Sequence, residues 1–192
     1  VVVRTGTLYE DIDFSDADFV YMGAGTESAQ LVALEDLRRY TDAVGAALAR
    51  GTVVLATGNA MELFGSSITS PDGTAHAGLG LFPFRTTVSD TARIQGDCLA
   101  VGAATGQTAV GFVNKASQTT DVEHPLFRME HGPGNAADTA EDGVWEGSFY
   151  GTHLIGPLLM KNPHVNAYFT ELLCRRAGLP YQAQDCPHEQ RA

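Results

Sequence analysis

The residues best placed for chemistry lie in Val53-Val54-Leu55-Ala56-Thr57-Gly58-Asn59-Ala60-Met61-Glu62-Leu63-Phe64-Gly65. An apolar run, a tight turn and a helical start make a nucleophile elbow, which holds one residue in a strained turn above a sheet. Such an apex carries Ser or Cys; here it is Gly58, which has no side chain. Glycine at positive φ avoids roughly 1 kcal/mol or more of strain, so the turn is relaxed as well as stripped of a nucleophile. Thr57 precedes the apex with a hydroxyl, but in this register it ends the buried strand and is read as structural. Glu62 sits in the elbow helix, where capping and solvent exposure are expected, with acid-base work as the alternative.

His153 is the other candidate for acid-base or ligand contact, against a reading as a satisfied histidine in a partly buried strand. It stands two residues before Ile155, and positions two apart on a strand face the same side. His124, His131, His164 and His188 show no metal-like spacing, and Cys98, Cys174 and Cys186 form no paired motif. The acidic residues Glu10, Asp11, Asp13, Asp16 and Asp18 read as a solvated loop and helix face.

The elements that must position these residues follow from periodicity. Residues 1–3 read as a short buried strand and Phe19–Met22 as a second. A helix is expected over 27–49, with Leu31, Leu34 and Leu37 recurring at helical spacing, ended by Gly51. Residues 52–56 form a continuous apolar strand of the kind found in a parallel sheet covered on both faces. A further helix starts over 60–64. Strands follow over 85–89, 97–101, 108–114, 126–130 and 149–154, separated by turn residues. A last helix spans 163–177, with Pro163 in its first turn and Gly178 beyond its end. Strand–helix alternation followed by strands predicts an α/β domain with a mixed sheet.

The composition is globular. The 192 residues are 44% hydrophobic and 18% charged. Twelve basic against 23 acidic residues give a net charge of −11, which excludes binding of nucleic acid or an anionic membrane through a general basic field. No apolar run approaches the roughly 20 residues of a bilayer span. An odd, sparse cysteine count fits a reducing cytoplasm.

Several segments carry a family resemblance. The elbow resembles Leu-Ala-x-Cys-Gly-Gly-Tyr-Gln-Leu-Leu-Gly, with Leu55, Ala56, Leu63 and Gly65 matched, Gly58 on the Cys and Glu62 on the Gln. Gly23-Ala24-Gly25-Thr26-Glu27-Ser28-Ala29-Gln30 resembles Gly-Gly-Gly-Gln-Asp-x-x-Gln. Gly111-Phe112-Val113-Asn114-Lys115-Ala116-Ser117-Gln118-Thr119 resembles Gly-Phe-Glu-Asn-His-x-Gly-Arg-Thr. Tyr150-Gly151-Thr152-His153-Leu154-Ile155-Gly156-Pro157-Leu158-Leu159-Met160-Lys161-Asn162-Pro163 resembles Tyr-Gly-Thr-Tyr-Leu-His-Gly-Pro-Leu-Leu-Pro-Lys-Asn-Pro. These are motifs of class I glutamine amidotransferases of the cobyric-acid-synthase type, including the amidotransferase subunit of lipid II isoglutaminyl synthase.

The resemblance implies a three-layer α/β/α sandwich with a flavodoxin-like mixed sheet. It implies one domain over 1–192 that lacks the first strand–helix unit of its relatives. In the family a Cys attacks the glutamine side-chain amide, a His moves the proton, and backbone N–H groups of the Gly-rich loop help form the oxyanion hole. Here the nucleophile position is Gly58, the base position is Ile155, and the substrate-side Arg is Gln118. The expected remnant pocket is lined by Gly23, Ala24, Gly25, Thr57, Gly58, Asn59, Glu62, Gln118 and His153. No cofactor and no metal are implied. The partner implied is a Mur-ligase-like or synthetase protein, with a glutamine-like small ligand. Three readings stand: a non-catalytic binding or regulatory subunit, an active amidotransferase with rearranged residues, and a small-ligand binding module.

Overall fold

The structure, a computed structural model, describes residues 2–156 and 158–182. Val1, Pro157, Cys186 and His188 lie outside the described residues. The elements in chain order begin with β1 (Phe19–Met22), α1 (Glu27–Leu37), α2 (Thr41–Ala49), β2 (Val53–Thr57), β3 (Ser67–Thr69), β4 (Ala75–Ala77) and β5 (Arg85–Val88). They continue with β6 (Ile94–Gly102), β7 (Thr108–Lys115), β8 (Ser117–Thr120), β9 (Phe127–His131), β10 (Glu141–Asp142), β11 (Val144–Glu146) and β12 (Phe149–Thr152), and close with α3 (Leu158–Lys161) and α4 (Pro163–Arg176). Short 3₁₀ turns bridge α1 to α2 over Arg38–Tyr40 and follow β2 over Gly58–Phe64.

The central sheet has the order β1-β2-β12-β11, with β1, β2 and β12 parallel and β11 antiparallel at one edge. Every residue of β2 is buried, because this Val-Val-Leu-Ala-Thr run is covered on both faces. Its side chains alternate between two cores. Val54 and Ala56 face Leu34, Val44, Phe64 and Phe149 on the α1–α2 side. Val53 and Leu55 face Leu154, Tyr150 and Phe169 on the α4 side, where the antiparallel sheet β10-β9-β6-β7 adds Ala100, Val113 and Met129. Each fully buried Leu or Phe contributes about 1.5–3 kcal/mol. A third sheet, β4-β3-β5-β8, completes the mixed α/β fold.

Local chemistry sets the element ends. Thr26 caps α1, its Oγ1 accepting the Ala29 N–H at 3.2 Å, and Glu27 in the first turn suits the helix dipole. The single helix expected over 27–49 is instead two, joined by the 3₁₀ turn. There the Thr41 hydroxyl donates to the Arg38 carbonyl at 3.1 Å, competing with the regular backbone pattern. The start expected over 60–64 is likewise 3₁₀, not α-helical. No strand forms over the described part of 1–3. Val2 and Val3 are 84% and 82% exposed and pair with no described strand, so their backbone has no ladder to join.

Candidate functional site

The parallel strands β1, β2 and β12 end together, with Met22 opposite Ala56 and Thr152 opposite Thr57. In open α/β sheets ligands bind outside the carboxyl ends of the strands. Here the loop after β1, the turn after β2 and the segment after β12 converge with β7 and β8 on a cleft of about 220 Å³. A wider depression of about 460 Å³ lies at the amino ends of β2 and β12, between Gly51, Ser148, Leu172 and Arg176, and holds none of the expected site residues.

Gly58 has φ +60°. A Cβ built on it would stand 2.5 Å from Ala24 Cβ and 3.3 Å from Ile155 Cγ2. Ile155 is fixed by a two-way backbone bridge to Phe112, its N–H donating at 2.8 Å and its carbonyl accepting at 3.1 Å. The Gly25 N–H, on the Gly-rich loop, donates to Asn59 Oδ1 at 2.9 Å. Gln30 Nε2 donates to the Asn59 carbonyl at 2.9 Å and to Glu62 Oε2 at 2.6 Å. At the rim Arg93 bridges Glu27, at 2.8 Å, and Asn114, at 2.6 Å.

Behind the cleft lies a buried ionic cluster. Ser117 Oγ donates to Glu62 Oε1 in a short contact, and His153 Nε2 stands 3.5 Å from the same oxygen. His153 Nδ1 lies 2.9 Å from Asp142 Oδ1, and Asp142 Oδ2 accepts from Thr152 Oγ1 at 2.6 Å and from the His153 N–H at 3.1 Å. Lys115 Nζ donates to the Asn135 carbonyl at 2.6 Å and stands 3.5 Å from His153 Nδ1. Glu62, Asp142 and His153 are each 1% exposed or less. Burial and the Lys115 ammonium oppose charge on His153, yet the hydrogen bonds to Asp142 and Glu62 prevail and its pKa is raised. Burial works to raise Asp142, but the His153 hydrogen bond and charge, with Lys115 and Thr152, hold it below the usual carboxylate value. Burial pushes Lys115 down to about 8. Glu62 and Asp142 thus stand beside His153 and Lys115 in one buried cluster, and such groups persist only when paired.

The cleft gathers Ala24, Gly25, Gly58, Asn59 and Glu62 from the expected set, together with Ile155. Four other expected residues lie outside its lining. Gln118 points to solvent because Gly111, Val113, Lys115, Ser117 and Thr119 take the inward positions, which leaves 118 on the outer face. Thr57 is buried and its hydroxyl pairs with Tyr21 at 3.1 Å. Gly23 lies against the Tyr21 ring instead. His153 is enclosed behind Glu62. Glu62 itself is not the exposed cap its sequence position suggested, since the 3₁₀ turn carries it into the protein. Sequence reasoning missed Lys115, Ser117 and Asp142. The alternation from 111 to 119 was the available signal for the first two; Asp142 had none.

Burial pushes the Cys98 thiol up to about 11, and Cys98 and Cys174 are unpaired as cysteines. Among the described residues one group could gather three metal-type ligands, Glu123, His124 and Glu146. None of them lines the cleft, and His124 Nδ1 is engaged by Glu146 Oε1 at 2.7 Å, which raises the imidazole pKa. No helix among the described residues is long and apolar enough to cross a membrane.

The sequence over residues 2–163 matches the CobB/CobQ-like glutamine amidotransferase domain. The chain belongs to this family. It is 30% identical over 180 residues to the GatD subunit of the glutamine-hydrolysing lipid II isoglutaminyl synthase of Staphylococcus aureus (strain N315), covering 94% of this chain and 73% of that one. The GatD subunit of Streptococcus pneumoniae (strain ATCC BAA-255 / R6) is 26% identical over 167 residues, covering 86% of this chain and 64% of that one. A crystal structure of a glutamine amidotransferase superposes with a TM-score of 0.56 at 16% identity, over 81% of this chain and 79% of that chain. That likeness concerns the fold, the class I amidotransferase α/β architecture expected from the motifs.

Proposed function

We propose that this amidotransferase-family chain is non-catalytic and acts as a binding or regulatory subunit of a ligase-like partner in cytoplasmic amidation of a cell-wall precursor. The observation that carries the reading is the elbow apex. At Gly58 there is no side chain to attack an amide, and the group facing it, Ile155, is hydrocarbon. Glutamine hydrolysis in the family needs a thiolate and a proton carrier at these two places. The cluster behind the cleft adds support, because His153 is spent on Asp142 and Glu62 and does not reach the apex lining. Similarity to two GatD subunits favours lipid II amidation, with a Mur-ligase-like partner, over amidation of the cobyric-acid-synthase type with a synthetase partner.

The test is a glutaminase assay on the purified chain, alone and with a Mur-ligase-like partner. Ammonia release at the buffer rate is expected in both. A specific hydrolysis of glutamine overturns the reading. The rearranged-enzyme alternative has one observation in its favour, the Ser117–Glu62–His153–Asp142 chain of contacts. It requires that Ser117→Ala abolish any turnover seen. The ligand-module alternative draws on the cleft itself. It requires that glutamine or glutamate raise the melting temperature in a concentration-dependent way.

A further inference from the structure

The loop Gly23-Ala24-Gly25 and the elbow are fitted to each other more tightly than the loss of a nucleophile demands. The Cβ position of residue 58 lies 2.5 Å from Ala24 Cβ and 3.5 Å from Ala24 Cα. Real side chains do not approach to 2.5 Å, and Ala24 Cβ is no flexible tip; it moves only if the loop backbone moves. The backbone is tied down on both sides. Gly25 N–H donates to Asn59 Oδ1 at 2.9 Å, and Thr26 caps α1. Gln30 of α1 holds the Asn59 carbonyl at 2.9 Å. The family pattern has Gly at positions 24 and 59, where this chain has Ala and Asn.

We propose that Ala24 forbids any side chain at position 58, with the Gly25–Asn59 bond holding its loop in place. This rests on the non-catalytic reading and extends it. The loop has closed onto the elbow as one unit, so returning the nucleophile alone does not reopen the site.

Gly147 supplies the control. It has φ +59°, almost the φ +60° of Gly58, and nothing lies within 4 Å of its Cβ position. Gly147→Ala therefore carries the cost of the conformation without a clash. We expect it to lower Tm by about 2–6 °C, and Gly58→Ala to lower it by at least about 4 °C more. Adding Ala24→Gly to Gly58→Ala should erase most of that difference, although Ala24→Gly alone stabilises nothing. In parallel, the thiol of Ala24→Gly/Gly58→Cys should react with a disulfide reagent at least about tenfold faster than that of Gly58→Cys, because room is made for it. Glutaminase activity should be absent from Gly58→Cys. If Gly58→Ala costs no more than Gly147→Ala, or Ala24→Gly leaves the cost unchanged, the proposal is wrong while the non-catalytic reading stands. Glutamine turnover by the unaltered chain instead removes that reading, and the Tm cycle still decides the clash.

Discussion

Asp142→Asn tests the buried cluster most directly. The carboxylate is fully buried and accepts three hydrogen bonds, from Thr152 Oγ1 at 2.6 Å, His153 Nδ1 at 2.9 Å and the His153 N–H at 3.1 Å. Asparagine keeps the volume but offers one acceptor oxygen and one NH₂ group, so at least one donor meets a donor. The charge that Asp142 sets against His153 is lost as well. Removing one partner of a buried pair costs about 3–5 kcal/mol. At about 2–4 °C per kcal/mol for a chain of this size, Tm should fall by about 6–20 °C at pH 6. The pH dependence has a definite sign. Asp142 is held below its unfolded pKa, so its contribution is present above about pH 4 and fades as pH falls through the folded value. His153 is raised above its unfolded value near 6.5, so its contribution is full below about pH 6.5 and fades as pH rises through the folded value. The difference between the two proteins should therefore be widest between about pH 4 and 6.5 and narrow on both sides. Thermal melts across pH 3–9 measure it. A loss under about 1 kcal/mol, or a difference that stays flat across that range, refutes the account of a mutually supporting ion cluster.

Other outcomes follow from single residues. Lys115, pushed down to about 8 by burial, binds its proton less readily folded than unfolded, so stability should rise between about pH 8 and 10; Lys115→Met should remove that rise in urea titrations. Asn162 clamps β7 to the α3–α4 junction, donating to the Val110 and Leu158 carbonyls and accepting the Val110 N–H, each at 2.8 Å. Asn162→Ala should cost about 2–3 kcal/mol in chemical denaturation, because these groups lose their partner indoors. Gly143 has φ +76° and its Cβ position falls onto the Gly151 carbonyl oxygen, so Gly143→Ala should cost about 3 kcal/mol or more, read as a Tm drop.

The readable parts of this fold were those fixed by local pattern. β1 coincides with the expected 19–22, β2 is displaced by one residue, and α4 begins at Pro163 as its first-turn chemistry dictates. The long strands of the antiparallel sheet could be located because alternation and turn residues bracket them. The elbow was legible to its apex. What pattern could not supply was partnership at a distance. Glu62 reads as an exposed helix-start acid until Ser117, from 55 residues away, is placed over it. His153 reads as an isolated strand histidine, since Asp142 reaches it only because the Gly143 turn folds β10 beside the end of β12. Gln118 inherited a place in the pocket from its motif, and the parity of the strand sends it outside. Val2 and Val3 show the reverse error, because hydrophobicity with no described strand beside it does not make a sheet.

β2 belongs to both hydrophobic clusters at once, through Val54 and Ala56 on one side and Val53 and Leu55 on the other. Neither half of the molecule can loosen without stripping cover from the same four-residue run. The chain should therefore melt in one transition, with calorimetric and van't Hoff enthalpies in agreement, and the amide protons of β2 should exchange only through global opening.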